Sequence, residues 1–183
     1  MNRWTFNDPD KGEVVAIEQI FAEKPGGGVV ASLTSDIPAA TAVGVKSGNV
    51  YGIIKGYRLV KAVAAADTSI NIAKGSGVAK GDVIAFGSKG VTCTAVDTSA
   101  TDYDKVTVTL GVVIASGEVL YQAKAASTDA AEPIYTPAYI TGGEVPANSG
   151  DFEVRLINGA NLRKETANVG SDIVAMLKGI ALV

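Results

Sequence analysis

The stretch Lys105-Val106-Thr107-Val108-Thr109-Leu110 alternates polar and apolar side chains without interruption. Because successive side chains of a β-strand point to opposite faces, this spacing puts valine and leucine on one side and lysine and threonine on the other. The pattern predicts a strand with one face toward a core and one toward solvent, as antiparallel sheets commonly have. It indicates that the fold is mainly β.

Further segments on both sides carry a β signal. They are Val50 to Ile54, Tyr57 to Val63, Ser69 to Ala73, Asp82 to Phe86, Val91 to Val96 and Phe152 to Ile157. Gly87-Ser88-Lys89-Gly90 is typical of a hairpin loop, and Asn158-Gly159 is a strong turn signal. Val14 to Phe21 fits a strand or a short helix, and its β-branched content favours the strand.

The end of the chain has a different pattern. Ser171-Asp172 is a possible helix cap, and Gly179 follows where such a helix would end. Between and beyond them, apolar residues fall at helical spacing: Ile173, Val174, Met176, Leu177 and Ile180. The pattern predicts a short C-terminal helix whose apolar face packs on the core or binds a partner.

Together these signals predict a mainly β fold, a small antiparallel barrel or sandwich with an extended N-terminal arm and a short C-terminal helix. A match between Ala79–Ile84 and Ala115–Leu120, both Ala-x-Gly-acid-Val-aliphatic, favours a barrel-like centre. We expect an N-terminal arm and first strands in residues 1–50 and a β-rich body with the helix in residues 51–183. A single domain over 1–183 is the alternative.

The composition narrows the class of protein. The 183 residues are 47% hydrophobic and 19% charged, which indicates a globular chain. Low charge is typical of a surface that meets another protein, and equally of a plain monomer. The 16 Lys and Arg residues are scattered, and no apolar run approaches the length of a membrane span, so we expect neither nucleic acid nor membrane as a partner. The N-terminus has no secretory signal pattern, which favours synthesis and folding in a cytoplasm.

The usual residues of catalysis are scarce. The chain has no histidine and one cysteine, and no motif for a nucleophile elbow or a phosphate loop. Gly75-Ser76-Gly77 is more typical of a turn than of a phosphate cradle, and we expect the acidic group Asp97, Asp102 and Asp104 to be a solvated turn and not a calcium site. Cys93 lies in a strand-like run and is expected to be a small buried hydrophobe. We therefore predict no enzymatic activity, no cofactor and no metal.

Several stretches resemble bacteriophage head-fibre proteins of the kind found in phages of Bacteroides-like gut bacteria. They include Tyr57-Arg58-Leu59-Val60-Lys61-Ala62-Val63, Gly81-Asp82-Val83-Ile84, Val119-Leu120-Tyr121-Gln122-Ala123 and Ile157 to Thr166. The resemblance implies a virion structural protein on the outer capsid surface, attached to the major capsid protein and commonly trimeric. A long fibre needs a sustained shaft repeat, which this chain lacks, so a compact capsid decoration or a base that anchors a further fibre protein is expected.

Partner binding is expected to concentrate in a few anchors. The candidates are Trp4, Phe6, Arg58, Met176 and Leu177. The alternative is a receptor- or carbohydrate-binding knob of a phage fibre, which would use exposed aromatics. Its candidates are Trp4, Tyr51, Tyr57, Tyr121, Tyr135 and Tyr139.

Overall fold

The computed structural model describes residues 6–8 and 12–183. The strands in the first part of the chain are β1 (Phe6–Asp8), β2 (Gly12–Val14), β3 (Ile17–Glu23), β4 (Gly28–Val30), β5 (Ala42–Ser47), β6 (Val50–Ile54), β7 (Gly56–Arg58), β8 (Ser69–Ala73) and β9 (Val83–Phe86). They are followed by β10 (Lys89–Thr92), β11 (Ala95–Asp97), β12 (Tyr103–Thr107), β13 (Val119–Ala123), β14 (Pro137–Thr141), β15 (Phe152–Val154), β16 (Leu156–Leu162), helix α1 (Ser171–Val174) and β17 (Ile180–Leu182). The mainly β fold with one short C-terminal helix is confirmed.

Residues 56–123 form a small barrel. One sheet has the strand order β10-β9-β13-β7 and the other has the order β11-β12-β8. β10 leads into β11 through only Cys93 and Thr94, and a bridge from Leu59 to Ile72 joins β7 to β8. The hydrogen-bonded strands therefore form a ring. Its interior is lined by apolar side chains, among them Ile72, Ile84, Val106 and Leu120.

The barrel is built from two similar repeats, residues 56–86 and 90–122. Ile70 to Ile84 aligns with Val106 to Leu120, 36 positions further on. Gly75 and Gly81 match Gly111 and Gly117, and buried aliphatic residues match as well, such as Ile84 with Leu120. The six-residue match seen in the sequence is the end of this longer repeat. The repeats interlock, because β8 pairs with β12 and β9 pairs with β13, each antiparallel.

Hydrogen bonds at the turn before β9 and at the turn before β13 follow the same pattern. Leu59 N donates to Glu118 O (2.9 Å), and Gly117 N donates to Leu59 O (2.9 Å). In the other repeat Cys93 N donates to Asp82 O (2.8 Å), and Gly81 N donates to Cys93 O (2.9 Å). Gly81 and Gly117 have φ of 95° and 85°, a conformation that favours glycine.

The remaining strands form a curled sheet in the order β15-β4-β6-β5-β14-β16-β17, with β3 also paired to β16. Only Arg155 separates β15 from β16, so the chain itself joins one edge of this sheet to its interior. Within it, Gly44 of β5 lies opposite Gly52 of β6, and the segment Tyr135-Thr136 packs over both glycines, with the ring of Tyr135 on Gly52 and the Thr136 carbonyl on Gly44. A side chain at Gly52 would collide with that ring, and a side chain at Gly44 would collide with the Thr136 carbonyl, so both contacts require glycine.

The barrel and the curled sheet share a core. Ala85 and Tyr121 point outward from β9 and β13 and pack with Ile54, Ile140 and other residues of the curled sheet. The C-terminal segment covers the same core through Ile173, Leu177 and Ile180. The central strands of the barrel are therefore buried on both faces.

Three local predictions were wrong. Asn158-Gly159 does not turn the chain; both residues lie inside β16, where the pairing with β3 is irregular and Gly159 approaches Ala22 closely. Pairing on both sides of β16 outweighs the local turn preference. The helix ends at Val174, and Ile180 lies in β17, which pairs in parallel with β16. Its N-cap is Gly170, with no side-chain cap.

The division of the chain at residue 50 stays a prediction. β5 and β6 pair across it, and β14 and β16 complete the same sheet from the far end of the sequence. None of the helices in the described part of the chain is long and apolar enough to cross a membrane.

Candidate functional site

The most densely bonded polar group of the barrel is the carboxylate of Asp82, at the start of β9. Its Oδ2 accepts hydrogen bonds from Tyr57 OH (2.9 Å), Lys55 Nζ (3.0 Å) and Ala79 N (3.0 Å). Its Oδ1 accepts one from Gln122 Nε2 (3.2 Å). Tyr57 and Ala79 belong to the first barrel repeat and Gln122 to the second. Lys55 lies between β6 of the curled sheet and β7 of the barrel.

The partners of Asp82 are held in place. Tyr57 is fully buried, and burial together with the negative charge of Asp82 raises the pKa of its hydroxyl far above the ordinary value. Lys55 also donates to the carbonyl of Gly77 (2.7 Å). The cluster therefore acts as a clamp between β7 and β9, with its acceptor oxygens already occupied.

The second repeat has an acid at the same place. Glu118, the counterpart of Asp82, accepts a hydrogen bond from Lys164 Nζ (3.0 Å). Beside it Arg58 donates to the carbonyls of Gly117 (2.7 Å) and Lys164 (3.1 Å), and also to the carbonyl of Ala167. These bonds tie the C-terminal segment to the barrel.

Among the anchor candidates, Trp4 lies outside the described residues, and Phe6 lies in β1, which pairs with β2. Burial lowers the pKa of Arg58, whose guanidinium bonds to its own chain. Leu177 is buried in the shared core, whereas the side chain of Met176 is half exposed. Their role as anchors stays a prediction.

Asp97, Asp104 and Cys93 were considered for chemistry, and each of them contacts other groups of this chain. Asp104 is paired with Lys74 (2.6 Å), and hydrogen bonds from Ser99 hold the pKa of Asp97 below its usual value. Cys93 is buried as expected, and burial raises the pKa of its thiol. Among the described residues, no group of three or more His, Cys, Asp or Glu side chains is arranged to hold a metal ion.

Phe21 is an exposed aromatic that the sequence reasoning missed. On β3, Ile20 lies opposite Ala160 and Ala22 lies opposite Gly159, so Phe21 between them is the extra residue of a β-bulge. Its side chain is 59% exposed. Because β3 pairs with no described strand other than β16, Phe21 lies on an open sheet edge.

Several tyrosines considered for sugar binding are not available at the surface. Tyr51, Tyr57 and Tyr121 are buried, and Tyr139 packs edge-on against Tyr51. Tyr103, which was not among those candidates, lines a surface cavity with Lys61 and Lys105. No signal in the sequence separated Tyr103 from the buried tyrosines, because exposure depends on the pairing of the strands.

Comparisons with protein-family models, with curated proteins and with solved structures found no match to this chain.

Proposed function

We propose that this chain is a non-enzymatic structural protein of a bacteriophage virion. It sits on the outer surface of the head, bound to the major capsid protein, and it decorates or stabilises the shell or anchors a head fibre. The proposal rests on the resemblance of the stretches around Tyr57, Gly81, Val119 and Ile157 to head-fibre proteins, and on one feature of the surface.

That feature is the open edge of β3. Phe21 lies on a bulge of β3, whose outer side pairs with no described strand, and natural proteins rarely leave such edges uncovered. This open edge, with Phe21 on it, is the attachment surface that we propose. A large exposed aromatic side chain on such a surface is a typical anchor.

The direct test is sedimentation of the recombinant chain with purified phage heads, together with its mass in solution. We expect a trimer that co-sediments with heads. Phe21→Ser should weaken this binding at least about tenfold, the loss expected of an aromatic anchor. Val113→Ser is the matched control, because Val113 is 77% exposed on the barrel, away from β3, and this variant should bind normally.

A chain that stays monomeric and never sediments with heads would contradict the proposal. If both variants bound like the unmodified protein, the head association would stand and the β3 attachment surface would be rejected.

The carbohydrate-binding alternative is tested on a glycan array with the same preparation. Binding to a defined glycan, lost on Tyr103→Ala and kept on Phe21→Ser, would favour that alternative, because Tyr103 lines a surface cavity.

A further inference from the structure

The two barrel repeats differ at one place. In the second repeat β11 runs alongside β12, with Ala95 opposite Thr107 and Asp97 opposite Lys105. Leu59 and Cys93 make equivalent hydrogen bonds, so at this end the repeats are offset by 34 positions and the counterpart of β11 is Lys61 to Val63. An equivalent strand would lie alongside β8 in the same way.

Instead, that segment leaves β8. Val63 exchanges hydrogen bonds with Ile114 (2.9 and 3.0 Å), and its side chain is buried in the barrel. The contact with β8 ends at the bond from Val60 N to Asn71 O (3.0 Å). The first repeat therefore has no strand where the second repeat has β11.

A cavity occupies the place of the missing strand. Its volume is about 270 Å³, and its lining includes Lys61, Val63, Ser69, Asn71, Tyr103 and Lys105. Lys61 and Val63 form one wall, and Ser69 and Asn71 of β8 form the other. We call this cavity the gap.

The β8 wall of the gap is an open strand edge. Val108 N donates to Thr68 O, so in the alternation of an antiparallel pair Thr68 and Ile70 turn their backbone groups toward β12. Ser69 and Asn71 then turn theirs toward the gap, where the Asn71 carbonyl already accepts from Val60 N and the Asn71 N–H and both groups of Ser69 remain for an added strand. Within the described residues, this edge of β8 pairs only with Leu59 and Val60.

The rim of the gap is basic. Lys61 and Lys105 are both exposed, and neither has an ion-pair partner within 4 Å in the described chain. Two carboxylates lie near them. Asp67 Oδ2 accepts a hydrogen bond from Ala64 N in its own turn (2.7 Å), and Asp97 accepts one from Ser99 N (3.0 Å).

We propose that the gap binds a short extended peptide segment of a partner protein that carries an acidic side chain. The segment adds to the edge of β8 through Ser69 and Asn71, as β11 adds to β12, and its carboxylate lies between Lys61 and Lys105. The occupant is argued from the molecule itself, because Ala95-Val96-Asp97 fills the equivalent place in the second repeat. The gap is separate from the β3 edge, so this inference stands without the proposed function.

The probe is a blocked synthetic peptide with the sequence of residues 94–99, Thr-Ala-Val-Asp-Thr-Ser, titrated into the ¹⁵N-labelled full chain. We expect amide shift changes at Ser69, Asn71 and the facing segment 61–63. The double variant Lys61→Ser/Lys105→Ser should bind about tenfold more weakly, because it removes both charges that face the carboxylate. Lys46→Ser/Lys80→Ser is the matched control on exposed lysines elsewhere, and it should bind normally.

Two changes in the probe test the mode of binding without altering the protein. Peptide with Asp replaced by Asn should bind more weakly, and peptide N-methylated on its backbone amides should not bind, because it cannot pair with a strand edge. The proposal is overturned by the absence of saturable shifts, by displacement of the native signals of Ala95 to Asp97, which would show exchange with β11, or by equal binding of the N-methylated peptide. It is also overturned if acetate alone reproduces the shifts.

Discussion

The two barrel repeats have nearly the same interior and different edges. Inside, Ile72 matches Val108 and Ile84 matches Leu120, all buried. At the edge, the second repeat is closed by β11, whereas the first repeat turns away from β8 toward Ile114. The comparison teaches that the repeated core sets the barrel, and that a short segment between the repeated strands decides whether an edge is covered.

The largest expected effects on stability come from the matching buried residues of the two repeats. Ile84→Ala and Leu120→Ala each remove a fully buried aliphatic side chain, so each should lower the free energy of unfolding by about 2–5 kcal/mol. Urea denaturation of both variants should give similar losses. Val113→Ala, at an exposed site, should stay within about 0.5 kcal/mol of the unmodified chain. A loss at only one of the buried positions would break the equivalence of the two repeats.

The acids at the turns predict an intermediate and unequal effect. Asp82→Ala leaves the buried Tyr57 hydroxyl without its acceptor, so it should lower the free energy of unfolding by about 1–3 kcal/mol. Glu118→Ala removes one partly exposed ion pair with Lys164 and should lower it by less than about 1 kcal/mol. The same denaturation experiment compares them, and equal losses would refute the account of Asp82 as the clamp.

The turn glycines predict a smaller effect, equal in the two repeats. Gly81→Ala and Gly117→Ala each place a side chain at positive φ in open space, so strain alone should lower the stability by about 1–2 kcal/mol. Gly150→Ala is the control, since Gly150 lies in open space without a positive φ. The melting temperatures of both turn variants should lie below that of the control by a similar number of degrees. If either variant melted like the control, the two turns would not be equivalent.

The rim of the gap predicts the smallest effect on stability. Lys61→Ser and Lys105→Ser alter exposed side chains without a close ion pair, so each should change the free energy of unfolding by less than about 0.5 kcal/mol. Urea denaturation measures this directly. A larger loss would mean that the lysines support the barrel and do not form a free binding rim.

Much of the fold could be predicted from local pattern. The alternation from Lys105 to Leu110 is matched by burial, with Val106, Val108 and Leu110 inside. Asn158-Gly159 misled the prediction because its turn preference is outweighed by pairing with β3, β14 and β17 on the two sides of β16. Helical spacing in the tail likewise could not show that Ile180 would join a sheet.

The surface features could not be predicted in the same way. Phe21 is exposed because a bulge in β3 displaces it, and a bulge depends on the register between two strands far apart in sequence. The gap exists because Val63 pairs with Ile114 and not with β8. Ile114 is far from Val63 in sequence, so the local pattern around Val63 could not predict this pairing. The short match between Ala79–Ile84 and Ala115–Leu120 did indicate the barrel, but it covered only the part of the repeat that the two halves share most closely.

Amide hydrogen exchange, resolved by residue, tests the central claim most directly. The claim is that β8 has an open edge where β12 is covered by β11. The amides of Ser69 and Asn71 should exchange quickly, whereas their counterparts at Lys105 and Thr107 should be protected through pairing with β11. Equal protection of all four amides would contradict the claim, because it would mean that the edge of β8 is covered as completely as that of β12.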